Sequence, residues 1–127
     1  MNSMLAYDGN MIESRRQAIQ AEIDRRKSAA ERNRLGQFAT PNALAIDIVR
    51  YVESVLGRAQ GNIHFADPSV GSGSFFSAAL AVFGAKRISS AVGVEIDPAF
   101  ADVASKLWAD AGLEVVRGDF TRVVANG

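Results

Sequence analysis

Three acids, Asp67, Glu95 and Asp119, each follow a short apolar run, and a glycine-rich turn, Gly71-Ser72-Gly73, lies just beyond the first. Acids at the ends of consecutive strands fall on one edge of an open parallel sheet, the edge where such sheets bind ligands. A carboxylate accepts two hydroxyl donors at once, so Glu95, 24 residues after Gly71, suits a ribose diol. Ile96 and Phe120 directly follow two of the acids and could sandwich a purine, with Asp119 accepting from its amino group. Gly71 and Gly73 allow a tight turn and close approach of a ligand to the main chain. The turn feeds a helix whose free N–H groups attract a carboxylate or phosphate. Taken together, the five side chains and the turn predict a site for an adenosine-containing ligand.

A nicotinamide or flavin dinucleotide fits this pattern poorly. The third glycine of that fingerprint, which permits close helix-to-strand packing, falls on Phe76, and Asp67 and Pro68 ahead of the turn have no task in cradling a pyrophosphate. A ligand with an amino-acid end fits better, its carboxylate on backbone N–H groups and its ammonium near Asp67. S-adenosylmethionine has that end. Ser72, Ser74 and Ser77 lack a histidine partner for hydrolase chemistry, and His64, the single histidine, reads as a packed or hydrogen-bonded strand residue.

The elements that must position these residues alternate. Asn62 to Ala66 predicts a first strand, and Phe75, Phe76, Ala79, Leu80 and Phe83 mark the helix after the turn. Ala91 to Ile96 is a second strand, Asp97 and Pro98 a cap followed by a proline, and Phe100, Val103, Ala104, Leu107, Trp108 and Ala111 one face of the next helix, closed by Gly112. Leu113 to Arg117 is a third strand. Two right-handed crossovers then build a parallel sheet with helices on its faces. Ahead of this unit, Thr40 caps and Pro41 begins a helix whose broad face, Leu44, Ile48, Val52 and Val55 flanked by Ala45, Val49 and Leu56, belongs against a sheet; Gly57 ends it, and Arg58 to Gly61 connects to the first strand. Met11 to Arg34 holds no Pro or Gly and predicts one long helix with a thin stripe of Ile12, Ile19, Ile23 and Ala30, an arm along the surface or against a partner.

The whole chain sets the bounds. Its 127 residues, 48% of them hydrophobic, suit one domain, and no apolar run is long enough to span a membrane. Without cysteine there is neither a disulfide framework nor a thiolate metal site, no secretory signal opens the sequence, and a cytoplasmic location fits. The 14 basic and 14 acidic residues cancel, but residues 11 to 34 carry seven Arg or Lys against four acids, so a phosphate-backbone contact would come from the front of the chain.

From about Gly36 to Phe120 the sequence resembles the DNA adenine methyltransferases of restriction-modification systems in which the cofactor motifs precede the catalytic one. GQFATP at 36 to 41 looks like the motif lining the methionine end of the cofactor, which implies Thr40 as a contact. DPSVGSGSFF at 67 to 76 is similar to the glycine-rich motif and brings in Asp67, Pro68, Gly71, Gly73 and Phe75. GVEIDP at 93 to 98 resembles the motif that places Glu95 on the ribose and Ile96 on the ring, and RGDF at 117 to 120 the one that places Asp119 on the adenine amine and Phe120 on its face. The implied fold is α/β, a truncated Rossmann-like class I methyltransferase fold of about three parallel strands, with residues 1 to 34 an N-terminal helical arm and 35 to 127 a partial S-adenosylmethionine-binding domain.

The family's catalytic motif, Asn or Asp then Pro-Pro and an aromatic residue, has no counterpart in this sequence, and Asn126-Gly127 does not begin one. No catalytic residue and no metal ligand is assigned. The expectation is a front portion that binds the cofactor without turning over, reaches DNA through a longer protein, and associates with itself through the free edge of the first strand or through the front helix. Rival readings keep the fold but make it a non-catalytic interaction module, or move the methyl to RNA or protein.

Overall fold

The computed structural model describes residues 2–35, 39–57 and 61–123. Gly36 to Phe38 of GQFATP, most of the Arg58 to Gly61 connection and the Val124 to Gly127 end lie outside the described residues.

The front of the chain forms two helices where one was expected. Helix α1 spans Asn2–Arg26, running straight through Gly9, and α2 spans Ala29–Leu35. The break at Lys27 and Ser28 is chemical: Ser28 Oγ accepts the Glu31 amide at 3.1 Å, the N-cap half of a Ser-x-x-Glu capping box. Along α1 the inward positions are mixed, with Ile23, Arg16 and Gln20 all buried, while Ala30 on α2 is exposed.

Helix α3, Asn42–Leu56, starts one residue later than expected. Pro41 is its N-cap, with extended ψ, and no side chain caps it, so Thr40 is not the cap. Gly57 does close it, donating to the Glu53 carbonyl. The helix packs on α4 rather than on the sheet: only Ala45 and Val49 are buried, against Ala78, with Phe75, Val82 and Phe83 beside them. Leu44, Ile48, Tyr51, Val52, Val55 and Leu56 remain 40–70% exposed.

Strands β1 (Ile63–Asp67), β2 (Ile88–Glu95) and β3 (Leu113–Arg117) form one parallel sheet in the order β1-β2-β3. Strand β2 begins three residues earlier than its apolar run, with Ser89 and Ser90 on the exposed stretch. Helix α4 (Ser74–Phe83) joins β1 to β2, and α5 (Pro98–Trp108) joins β2 to β3. Both crossovers step in the same direction across the sheet, so right-handed connections place both helices on one face. Edge-to-face contacts run through the layer: Phe65 on β1 meets Phe76 on α4, which meets Trp108 on α5, each at 5.4 Å between centroids. With Val70, Ala91, Ala104 and Leu113 these form the main core.

Helices flank the three parallel strands, as the sequence predicts. His64, Ala66, Ser90 and Glu114 alternate with the core residues on the opposite face and are exposed, and the packed helices among the described residues lie on the other side. His64 bonds to Ser90 Oγ through Nδ1 at 2.7 Å, the strand role expected of it. Among the described residues no helix is long and apolar enough to cross a membrane.

Candidate functional site

The C-terminal ends of the three strands carry the site. Asp67 ends β1, and its Oδ1 accepts the Ser69 amide at 2.9 Å, shaping the chain into the turn. Burial pushes the Asp67 carboxyl up from its ordinary value, against the lowering effect of that hydrogen bond. Pro68 is exposed at the turn, and Val70 folds back to donate its amide to the Val94 carbonyl at 2.9 Å. Val70 thereby packs over Gly93, where a Cβ would come within 2.6 Å of it.

Gly71 and Gly73 both take positive φ, +56° and +98°, a region that glycine enters freely. Around Gly71 a Cβ would meet nothing within 4 Å, so its surface is open to a ligand. Gly73 is the opposite case, because its Cβ would fall 2.2 Å from Trp108 Nε1. That indole N–H donates to the Ser72 carbonyl at 2.8 Å, fixing the turn against α5. The close helix packing that a dinucleotide fingerprint assigns to its third glycine is made here at Gly73, while Phe76 fills the core.

Glu95 at the end of β2 is 5% exposed and ties two turns together. One carboxylate oxygen accepts the Gly71 amide and the other the Asp97 amide, both at 2.9 Å. Carboxylate oxygens each carry two acceptor positions, so one remains on each for hydroxyl donors. Ile96 and Phe120 are 54% and 57% exposed, two large apolar side chains in water at adjacent strand ends. Asp119 caps the short turn Phe120–Arg122: its Oδ1 accepts both the Thr121 amide at 2.9 Å and the Thr121 hydroxyl at 2.7 Å, bonds that hold its carboxyl below the usual range. Its other oxygen takes neither.

Thr40 reaches the same region through its backbone, since Ser74 Oγ at the start of α4 donates to the Thr40 carbonyl at 2.6 Å. Phe75 turns away from the strand ends and packs, half-buried, between α4 and α3. Asp97 is the N-cap of α5, accepting the Ala99 amide at 2.8 Å ahead of Pro98, as the cap-then-proline pattern predicts. The structure thus gathers Asp67, Pro68, Gly71, Gly73, Glu95, Ile96, Asp119, Phe120 and the Thr40 carbonyl at one end of the sheet, and leaves Phe75 behind the turn. Arg16 and Trp108, both in contact with Ser72, were not read from the sequence as part of this region. A buried arginine gives no pattern in a charged helix, and the indole is indistinguishable from a core residue.

No family model matches the sequence. Among solved structures, a Listeria monocytogenes protein assigned to the class I S-adenosylmethionine-dependent methyltransferases superposes over 86% of this chain with a TM-score of 0.56. The fold is that of the class I methyltransferases. Sequence identity is 14%, so the likeness concerns the fold, and this chain spans 35% of the length of that protein. The three parallel strands and their crossover helices are what a Rossmann-like methyltransferase sheet contains up to its third strand. An adenosine with an amino-acid tail fits the residues present: an open Gly71, an acid whose spare acceptor positions suit a diol, and two exposed apolar side chains flanking it. Among the described residues no group of His, Cys, Asp or Glu could hold a metal ion.

Proposed function

We infer that this chain is the S-adenosylmethionine-binding portion of a methyltransferase acting on the exocyclic amine of adenine in DNA. The observation that carries the cofactor is the pair Ile96 and Phe120, exposed beside a buried Glu95 at adjacent strand ends. Exposing two large apolar side chains next to a buried acid makes sense where a purine lies between them and a ribose meets the acid. Glu95 would accept the ribose hydroxyls on its unused acceptor positions, Asp119 the adenine amine, and the Gly71 side of the turn would face the amino-acid end. When bound, the cofactor supplies a sulfonium-activated methyl group. The chain's part is to orient it and hold it still.

The DNA adenine substrate rests on GQFATP and on the acid-proline start of DPSVGSGSFF, by resemblance alone. Methyl transfer to a base also requires extruding it and holding its amine by stacking and hydrogen bonds, a task separable from binding the cofactor. Titration calorimetry tests the reading: S-adenosylhomocysteine binds, NAD does not, and Glu95→Ala abolishes binding. Binding of NAD without S-adenosylhomocysteine would overturn it.

A further inference from the structure

Helix α1 touches both turns of the site, and it does so with charge. Arg16 is 3% exposed although it carries a guanidinium. Its Nε and Nη2 donate to the Glu13 carboxylate at 2.7–3.1 Å, and its Nη1 donates to Ser72 Oγ at 3.0 Å. Glu13 in turn accepts the Ser77 hydroxyl from the first turn of α4. Just past the C-terminal end of α1, Lys27 pairs with Asp97, the N-cap of α5, and lies 5.0 Å from the centre of the Phe100 ring. Ser72 is thus held from two sides, its hydroxyl by Arg16 and its carbonyl by Trp108.

A buried ion pair costs desolvation that hydrophobic packing would avoid, so stability alone is a weak reason for it. Its directed hydrogen bonds end on Ser72, next to the Gly71 whose amide Glu95 accepts, and on Ser77 in the first turn of α4. We propose that Glu13 and Arg16 are positioning residues for the glycine-rich turn, and that docking of α1 is coupled to cofactor affinity at that turn. The coupling rests on the cofactor reading above. Residues 1 to 34 are then more than an arm along the surface: α1 is part of what shapes the cradle. Because linkage is reciprocal, a ligand that needs the ordered turn also tightens α1 against α4 and α5.

The test uses the whole chain and three variants. Arg16→Met and Ser72→Ala each remove one end of the Arg16–Ser72 bond, and Val49→Ala, in the α3–α4 seam, loosens the protein away from the turn. Calorimetric titration with S-adenosylhomocysteine should show affinity about tenfold weaker in Arg16→Met and weaker in Ser72→Ala, with the double variant no worse than Arg16→Met. Val49→Ala, at a comparable loss of melting temperature, should bind as the parent does. Amide exchange in the ligand-free protein reads the brace independently: the Gly71 and Gly73 amides should exchange faster in Arg16→Met and unchanged in Val49→Ala. Parent-like affinity in Arg16→Met, or additive losses in the double variant, would overturn the coupling while leaving the cofactor reading intact. Absence of binding in the parent with accelerated exchange in Arg16→Met would instead overturn the cofactor reading, and with it the coupling to affinity.

Discussion

Replacing Gly73 with alanine should unfold the protein at a much lower temperature, for a reason that geometry makes quantitative. The new Cβ would lie 2.2 Å from Trp108 Nε1 and 2.9 Å from its Cδ1. Trp108 is 1% exposed and stacked edge-to-face on Phe76 at 84°, so it has nowhere to move. Three costs add. A non-glycine residue at positive φ costs about 1–2 kcal/mol, overpacking a filled core about 1–3, and loss of the indole bond to the Ser72 carbonyl about 1. The sum, roughly 3–6 kcal/mol, is a large part of the stability of a domain this size. With an unfolding entropy of about 2.1 cal/mol/K per residue, it corresponds to a fall of roughly 10–20 °C in Tm. Gly71→Ala is the internal comparison, because its φ is also positive but its Cβ meets nothing. It carries only the backbone cost, about 1–2 kcal/mol, or roughly 4–8 °C. Scanning calorimetry of the two variants decides the matter. A Gly73→Ala transition at or above that of Gly71→Ala would show that the Trp108 contact does not define the turn.

Further outcomes follow from the same geometry. Ile96→Ala and Phe120→Ala should each weaken S-adenosylhomocysteine binding about tenfold while leaving Tm within a degree or two, since both side chains are more than half exposed; a large loss of Tm with unchanged affinity would return them to a core role. Burial would raise the Glu13 carboxyl, yet the hydrogen bonds from Arg16, Ser77 and Gln17 and the Arg16 charge carry it below its ordinary value of 4.5. Its folded-state preference for the ionised form stabilises the protein above that value and is lost as pH falls through the lowered one. Urea midpoints measured from pH 7 to pH 3 should therefore drop less steeply in Glu13→Gln than in the parent, and equal slopes would refute the assignment. The exposed α3 side chains and the unpaired edge of β1 should drive association, seen as a mass rising with concentration in light scattering and reduced by Val55→Lys. A monomer at all concentrations would count against it.

The crossover unit was legible because each of its parts had a local signature. Asp97 with Pro98 fixes the start of α5, Gly112 ends the turn that follows it, and Leu113 to Arg117 is a strand in both readings. The strand-end acids were legible for the same reason, since the alternation of elements alone sends them to one edge. What could not be read was anything set by long-range packing. The apolar face of α3 looked like a core face, and nothing local to it reveals that its packing partner is a helix and not a sheet. The break in the front helix, by contrast, had its signal in Ser28 and Glu31 and was outweighed by the high helix propensity around it. At the site itself, Glu95 was read as a ligand residue, yet it is first an acceptor for two turns, because a buried carboxylate must satisfy its oxygens whether or not a ligand is present.

The bond between the Trp108 indole and the Ser72 carbonyl has a practical consequence. The protein holds a single tryptophan, so all of its indole emission originates one hydrogen bond away from the glycine-rich turn. A molecule that settles against that turn alters the field and the packing felt by this one chromophore, and titration can be followed optically without any label. The same residue that locks the loop into shape is its natural reporter.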